Sequence, residues 1–126
     1  METIYTKTAP DAIGPYSQAI KVGNTLNSSG QIAINPATGK VEATDIAGQS
    51  RQVMQNLAEV LKAAGASFDN VVKTTCFLKD VAKDFATFNA IYAEAKCDNK
   101  PARSCVGVAE LPKGVLVEVE VIAVVE

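Results

Sequence analysis

There is no histidine in these 126 residues. That removes the commonest general base near neutral pH, the Ser–His and Cys–His nucleophile pairs, and the usual nitrogen ligand of zinc. Cysteine is scarce. Cys76, Cys97 and Cys105 form no C-x-x-C pair, and an odd number of thiols makes a poor disulfide framework. Free thiols suit a reducing compartment, so a cytoplasmic protein is expected. Lysines and arginines never stand side by side, and the net charge is −2. A basic stretch able to neutralise a phosphate backbone is therefore missing, which weighs against nucleic acid as a partner. No apolar run approaches the ~18 residues of a membrane span, and the first residues lack a basic-then-apolar signal. Neither a phosphate loop, a dinucleotide fingerprint nor a metal-ligand cluster occurs, so no cofactor and no metal are expected.

What is present is ordinary soluble composition, 48% hydrophobic and 21% charged. A chain of this length is expected to form one domain over residues 1–126, burying about two-thirds of the surface it exposes when unfolded.

Alternation of apolar and polar residues predicts strands at Thr3–Tyr5, Ala19–Val22 and Thr25–Ser28, with Gly23-Asn24 as a tight hairpin turn. Between the first two, Pro10, Gly14 and Pro15 mark a loop, and Pro15 fixes the backbone before Tyr16. Tyr16 then either packs its ring in the core or is aimed at a site. Ser28-Ser29-Gly30-Gln31 is a cluster of small residues at a strand end. It reads as a turn or bulge, or as a clear approach to hydroxyl and backbone donors. Ile32 and Ile34 continue extended before Asn35–Gly39 turns the chain.

A helix capped by Thr44 or Asp45 runs to about Ala64, with Ile46, Val53, Leu57, Val60, Leu61 and Ala64 on one face and Gly65 as its stop. After a capped turn at Ser67–Asn70, a strand is expected over Val71–Leu78, with Val72, Thr74, Cys76 and Leu78 on one side. Asp84 is read as the cap of a second helix whose apolar stripe is Phe85, Phe88 and Tyr92, with Asn89 beside it. A loop at Asp98–Lys100 leads to the next strand, and Leu111–Gly114 is a hairpin connection into a final strand, Val115–Val125. That strand is apolar at every odd position. Its even positions mix Leu116, Ile122 and Val124 with Glu118 and Glu120, a face expected to be covered by another subunit. Two helices cover one face only, which makes the architecture α+β.

The segment Pro101–Val108 is the odd one. As a strand it places Arg103, Cys105 and Gly107 on one side and Ala102, Ser104 and Val106 on the other. A guanidinium beside apolar layers needs an anion or several acceptors. A structural ion pair with Glu118 or Glu120 would supply one; a bound carboxylate or phosphate, matched to the planar fork, would supply the other. Gly107 would leave room for something to approach the sheet. Glu118 with a water could move a proton. Cys105 as a nucleophile, its thiol acidified by Arg103, is hampered by the lack of a basic partner.

Five blocks, Ile13–Gln18, Ser29–Gln31, Asp84–Asn89, Pro101–Val106 and Val117–Glu120, resemble the RidA (reactive intermediate deaminase A) family, earlier labelled endoribonuclease L-PSP or translation-initiation inhibitor. The resemblance covers essentially the whole chain in order. It implies a chorismate-mutase-like α+β fold, a mixed sheet of about six strands with two helices on one face. It implies a homotrimer with sites between subunits, and hydrolysis of enamine and imine intermediates of pyridoxal-phosphate enzymes to 2-keto acids and ammonia, without a cofactor. By the family pattern Arg103 takes the substrate carboxylate; Tyr16, Ser29 and Asn89 line the pocket; the Cys105 carbonyl meets the nitrogen end; and Glu118 holds the attacking water. Family members often carry an aromatic pair after the second helix, and Ala93–Lys100 has none. A ribonuclease acting on single-stranded RNA and a non-catalytic carboxylate-binding trimer are the alternatives.

Overall fold

The computed structural model describes residues 1–95 and 100–126, so the expected loop at Asp98-Asn99 and the thiol of Cys97 lie outside the described residues. Six strands form one sheet: β1 (Glu2–Ile4), β2 (Ala19–Val22), β3 (Thr25–Ser28), β6 (Val71–Leu78), β7 (Ala102–Gly107) and β8 (Val117–Val124). Their spatial order is β1-β2-β3-β8-β6-β7, antiparallel throughout except for the parallel β6–β7 pair. A small second ladder joins β4 (Ile34–Asn35) to β5 (Lys40–Val41) across the Asn35–Gly39 turn. Helices α1 (Ile46–Ala63) and α2 (Val81–Ala93) pack on one face of the large sheet. The α+β expectation of about six strands and two helices on one face holds.

The core lies between α1 and the odd side chains of β8. Val53, Leu57, Val60 and Leu61 of α1 are fully buried against Val117, Val119, Val121 and Ala123. Each such side chain contributes ~1.5–3 kcal/mol of apolar burial, which fixes the register of β8 and sends Glu118 and Glu120 to the opposite, open face. Buried polar residues of α1 extend its reach to the loops. Asn56 Nδ2 donates to the carbonyls of Ile32 at 3.1 Å and Ile34 at 2.9 Å. Gln49 Oε1 accepts from the Leu116 N–H at 2.8 Å.

Several local expectations are corrected. Asp80, not Asp84, caps α2: its Oδ1 accepts from the Lys83 N–H at 3.1 Å, while Asp84 is buried in the first helical turn. A register shift between Val71 and Lys73 turns Val71 into the core and leaves Val72 exposed, so only Thr74, Cys76 and Leu78 of the expected set face the helices. The segment after β7 is no hairpin. Strand β7 pairs with β6 alone, so residues 108–116 cross over β6 to reach β8. The crossing contains a 3₁₀ turn, Pro112–Gly114, in which Lys113 adopts φ 57°.

Candidate functional site

Strand β7 is an edge, and Arg103 is exposed on it rather than shut between apolar layers. Its side chain points to the helix face and meets α2. Nη1 donates to Asn89 Oδ1 at 2.7 Å, and the guanidinium carbon sits 4.8 Å from the Tyr92 ring centroid and 5.6 Å from that of Phe85. Phe85, Asn89 and Tyr92 are spaced i, i+4, i+7, so one stripe of α2 cradles the cation. Asn89 is thus no idle surface amide.

The internal ion pair is ruled out by topology. Glu118 and Glu120 belong to the open face of β8, Arg103 to the helix face of β7, and β6 lies between them. Gly107 does not make room for a ligand either. A Cβ there would stand 3.1 Å from Val81 Cγ2, so the glycine admits the first residue of α2 to the sheet.

The edge has a second property. The Val108 N–H donates to the Leu78 carbonyl at 3.0 Å, continuing the one-to-one β6–β7 register. In a parallel ladder alternate residues direct both main-chain groups to the same neighbour. The N–H and C=O of Arg103, Cys105 and Gly107 therefore face the open edge. The Cys105 side chain points inward, half-buried beside Cys76, its register partner. Burial raises the Cys105 thiol above its ordinary range, and the nearby Arg103 charge offsets only part of this. Burial pushes the Cys76 thiol up to about 12, so it acts as a small buried hydrophobe. The Cys105 thiol is a weak nucleophile; its carbonyl is a well-directed acceptor.

The other expected site residues gather elsewhere. Tyr16, Ser29, Gly30, Ile32, Lys113 and Glu118 are among the walls of a cavity of about 490 Å³, which does not include Arg103, Asn89 or Cys105. Tyr16 is 53% exposed, so its ring is not a core residue. The loop that carries it is pinned by Gln18, which is buried. Gln18 Nε2 donates to the carbonyls of Thr6 at 3.0 Å and Pro10 at 2.8 Å, and its Oε1 accepts from the Thr6 N–H at 2.7 Å. Ser29 Oγ donates to the Ser17 carbonyl at 2.5 Å, which leaves its lone pairs for a ligand. Gly30 lets the Glu118 carboxylate lie against the backbone; a Cβ there would push that side chain aside. Burial, then the charge of Glu120, raises the Glu118 carboxyl above its ordinary value. Sequence reasoning missed Gln18 as the anchor of the Tyr16 loop and the Phe85–Tyr92 cradle of Arg103. The i, i+4, i+7 spacing was the available signal for the cradle.

The chain thus carries two candidate clusters, a cationic edge on β7 and a cavity lined by a carboxylate, on opposite faces of a small α+β sheet. Comparison with known proteins places the chain. The family model described as Endoribonuclease L-PSP matches residues 6–125. A RutC family protein of Pyrococcus horikoshii is 52% identical, with 97% of this chain and 96% of that protein covered. The 2-iminobutanoate/2-iminopropanoate deaminase of Escherichia coli K12 is 50% identical, with 98% and 97% covered. Among solved structures, Escherichia coli TdcF with bound serine aligns over 100% of both chains at 40% identity and a TM-score of 0.93. This chain belongs to the RidA/endoribonuclease L-PSP family and has its chorismate-mutase-like fold.

Proposed function

We propose that this protein is a cytoplasmic imine deaminase that hydrolyses 2-iminobutanoate, 2-iminopropanoate and their enamine tautomers to 2-keto acids and ammonia. The carrying observation is the pair of half-sites. An oriented guanidinium beside an outward-facing carbonyl matches a small molecule with a carboxylate at one end and an iminium nitrogen at the other. The cavity supplies a carboxylate able to hold a water. The E. coli deaminase, half identical in sequence, acts on such substrates by its name, and the TdcF structure holds serine, a small amino acid.

The family resemblance implies a homotrimer with three sites between protomers, and the placement of the two half-sites on opposite faces of one sheet supports an assembly in which they meet across a subunit boundary. Val106 and Ile122, 44% and 36% exposed on the open face, are the apolar surface that assembly would cover. In the assembled site Arg103 pairs with the substrate carboxylate, and Asn89 steadies the guanidinium. The Cys105 carbonyl accepts from the iminium N–H, while Tyr16 and Ser29 wall the pocket. Glu118 takes a proton from the water as its oxygen bonds to C2 and the C=N π pair moves to nitrogen, and passes that proton to the nitrogen. It then takes the remaining hydroxyl proton as C2=O forms and the C–N bond breaks, and gives that second proton to the departing ammonia. Iminium and water become keto acid and ammonium with no net change at Glu118. Imine hydrolysis is intrinsically facile, so orientation can suffice without histidine. The thiols of Cys76 and Cys105 are unpaired with each other, which fits a reducing compartment. Cleavage of RNA is poorly served by a cavity that sets Asp11 and Glu118 against a single Lys113.

The test is a coupled assay in which threonine dehydratase generates the imine. Keto-acid release should accelerate with this protein and fall to the buffer rate with Arg103→Ala. No acceleration by the unmodified protein refutes the reading.

A further inference from the structure

An arginine on an exposed strand edge would ordinarily sample many rotamers, and fixing it costs side-chain entropy. Arg103 is nonetheless held, and the holding group is itself anchored. The Tyr92 hydroxyl shares a 2.8 Å hydrogen bond with Thr74 Oγ1. Thr74 is buried at 2% exposure and stands directly beside Arg103 in the β6–β7 register. Three elements therefore close a circuit: Thr74 of β6 fixes the Tyr92 ring of α2, the ring lies 4.8 Å from the guanidinium of β7, and β7 is paired back to β6. The ring also tilts against Phe88, a fully buried residue, at 5.7 Å between centroids. Its position is thus set from the core outward.

We infer that Tyr92, anchored by Thr74, is a positioning residue for anion recognition: it orients the Arg103 guanidinium before the carboxylate arrives. The inference deepens the proposed function and rests on its assignment of Arg103 to the carboxylate. The attraction of a ring for the cation uses its charge, whereas a carboxylate is held by the guanidinium N–H donors, so the two do not compete. Asn89 takes one edge donor. The ring holds the plane so that the remaining donors point away from the helix. Preorganisation of this kind appears as ground-state affinity, because the entropy is already spent when the ligand binds.

The experiment compares wild type with Tyr92→Leu, Tyr92→Phe, Thr74→Val and the Tyr92→Phe/Thr74→Val pair. Three quantities are read: the side-chain N–H resonance of Arg103, the Kd for 2-oxobutanoate, and kcat and KM on imine generated in situ. In wild type the resonance should be shifted upfield by the ring, and Tyr92→Leu should abolish the shift. Tyr92→Leu should raise Kd and KM together by ~10-fold with kcat within ~3-fold. Tyr92→Phe and Thr74→Val should each raise Kd by ~3-fold, and the double variant by less than the product of the two, because both changes remove the Thr74–Tyr92 hydrogen bond. A Tyr92→Leu protein that loses thermal stability while Kd and KM stay at wild-type values overturns the inference, since the ring would then be packing alone. The resonance needs no turnover. It separates the two claims: in a protein inactive on imines a shifted signal still upholds the clamp, and an unshifted one removes it.

Discussion

A guanidinium backed by two rings and an amide can recognise a carboxylate through the shape of its fork as well as through its charge. Arg103→Lys keeps the charge and discards the fork and the stacking plane, so kcat/KM should fall by ~10–100-fold rather than recover. Cys105 makes the opposite case. Its thiol is turned inward and kept protonated by burial, while its carbonyl faces the open edge. Cys105→Ser should therefore retain the rate within ~3-fold in the same coupled assay, whereas loss of a covalent nucleophile would cost ~10³-fold or more. Glu118 titrates above the ordinary carboxylate value of 4.5, with burial the first cause and Glu120 the second. Acting as a base, it works only when ionised, so kcat/KM should rise with pH through that raised value, and Glu118→Gln should flatten the limb along with most of the rate. Stability runs the other way. A raised folded-state carboxyl lends stability below its unfolded value and loses it as pH rises through the folded one. Glu118→Gln should thus melt higher than wild type at pH 7, and the gap should close below pH ~4.5.

At the level of helices and strands, α1 is more than a cover for the sheet. Its Asn56 and Gln49 hold the segments on either side of the cavity, while one position on the same helix is unserved: Ser50 Oγ is fully buried and meets no hydrogen-bond partner among the described residues. Ser50→Ala should stabilise the protein by ~1 kcal/mol, read as a higher thermal midpoint, with activity unchanged. The apolar stripe of α1, the odd residues of β8 and the β2–β3 hairpin were legible in the sequence because periodicity and turn chemistry are local. The bulge at Val71–Lys73 was not, since nothing local distinguishes one inserted residue from continued alternation. The hairpin expected at Leu111–Gly114 failed for a related reason. Pairing of β7 with β6 rather than β8 is a long-range choice, and that choice also separates Arg103 from Glu118. The candidate residues could be read; which of them share a face could not.

For the molecule as a whole, the proposed site draws on two faces of the sheet, so the proposed function makes catalysis depend on assembly. Arg103→Ala removes one half from every protomer, and Glu118→Ala removes the other. Neither variant alone should be active. Unfolded together in equal amounts and reassembled, they would, in the proposed trimer, give mixed assemblies in which some boundaries join an intact cationic edge to an intact cavity. With random assembly each boundary draws its edge from one protomer and its cavity from the next, so about one boundary in four recovers both. Mixed assembly should therefore restore about a quarter of wild-type activity, dependent on co-refolding and absent when the two variants are merely combined after folding. Two half-sites that served the same protomer would give no recovery in either case. Recovery near a quarter would also fix the number of protomers contributing to each site at two, as the proposed split between the faces of β7 and β8 predicts.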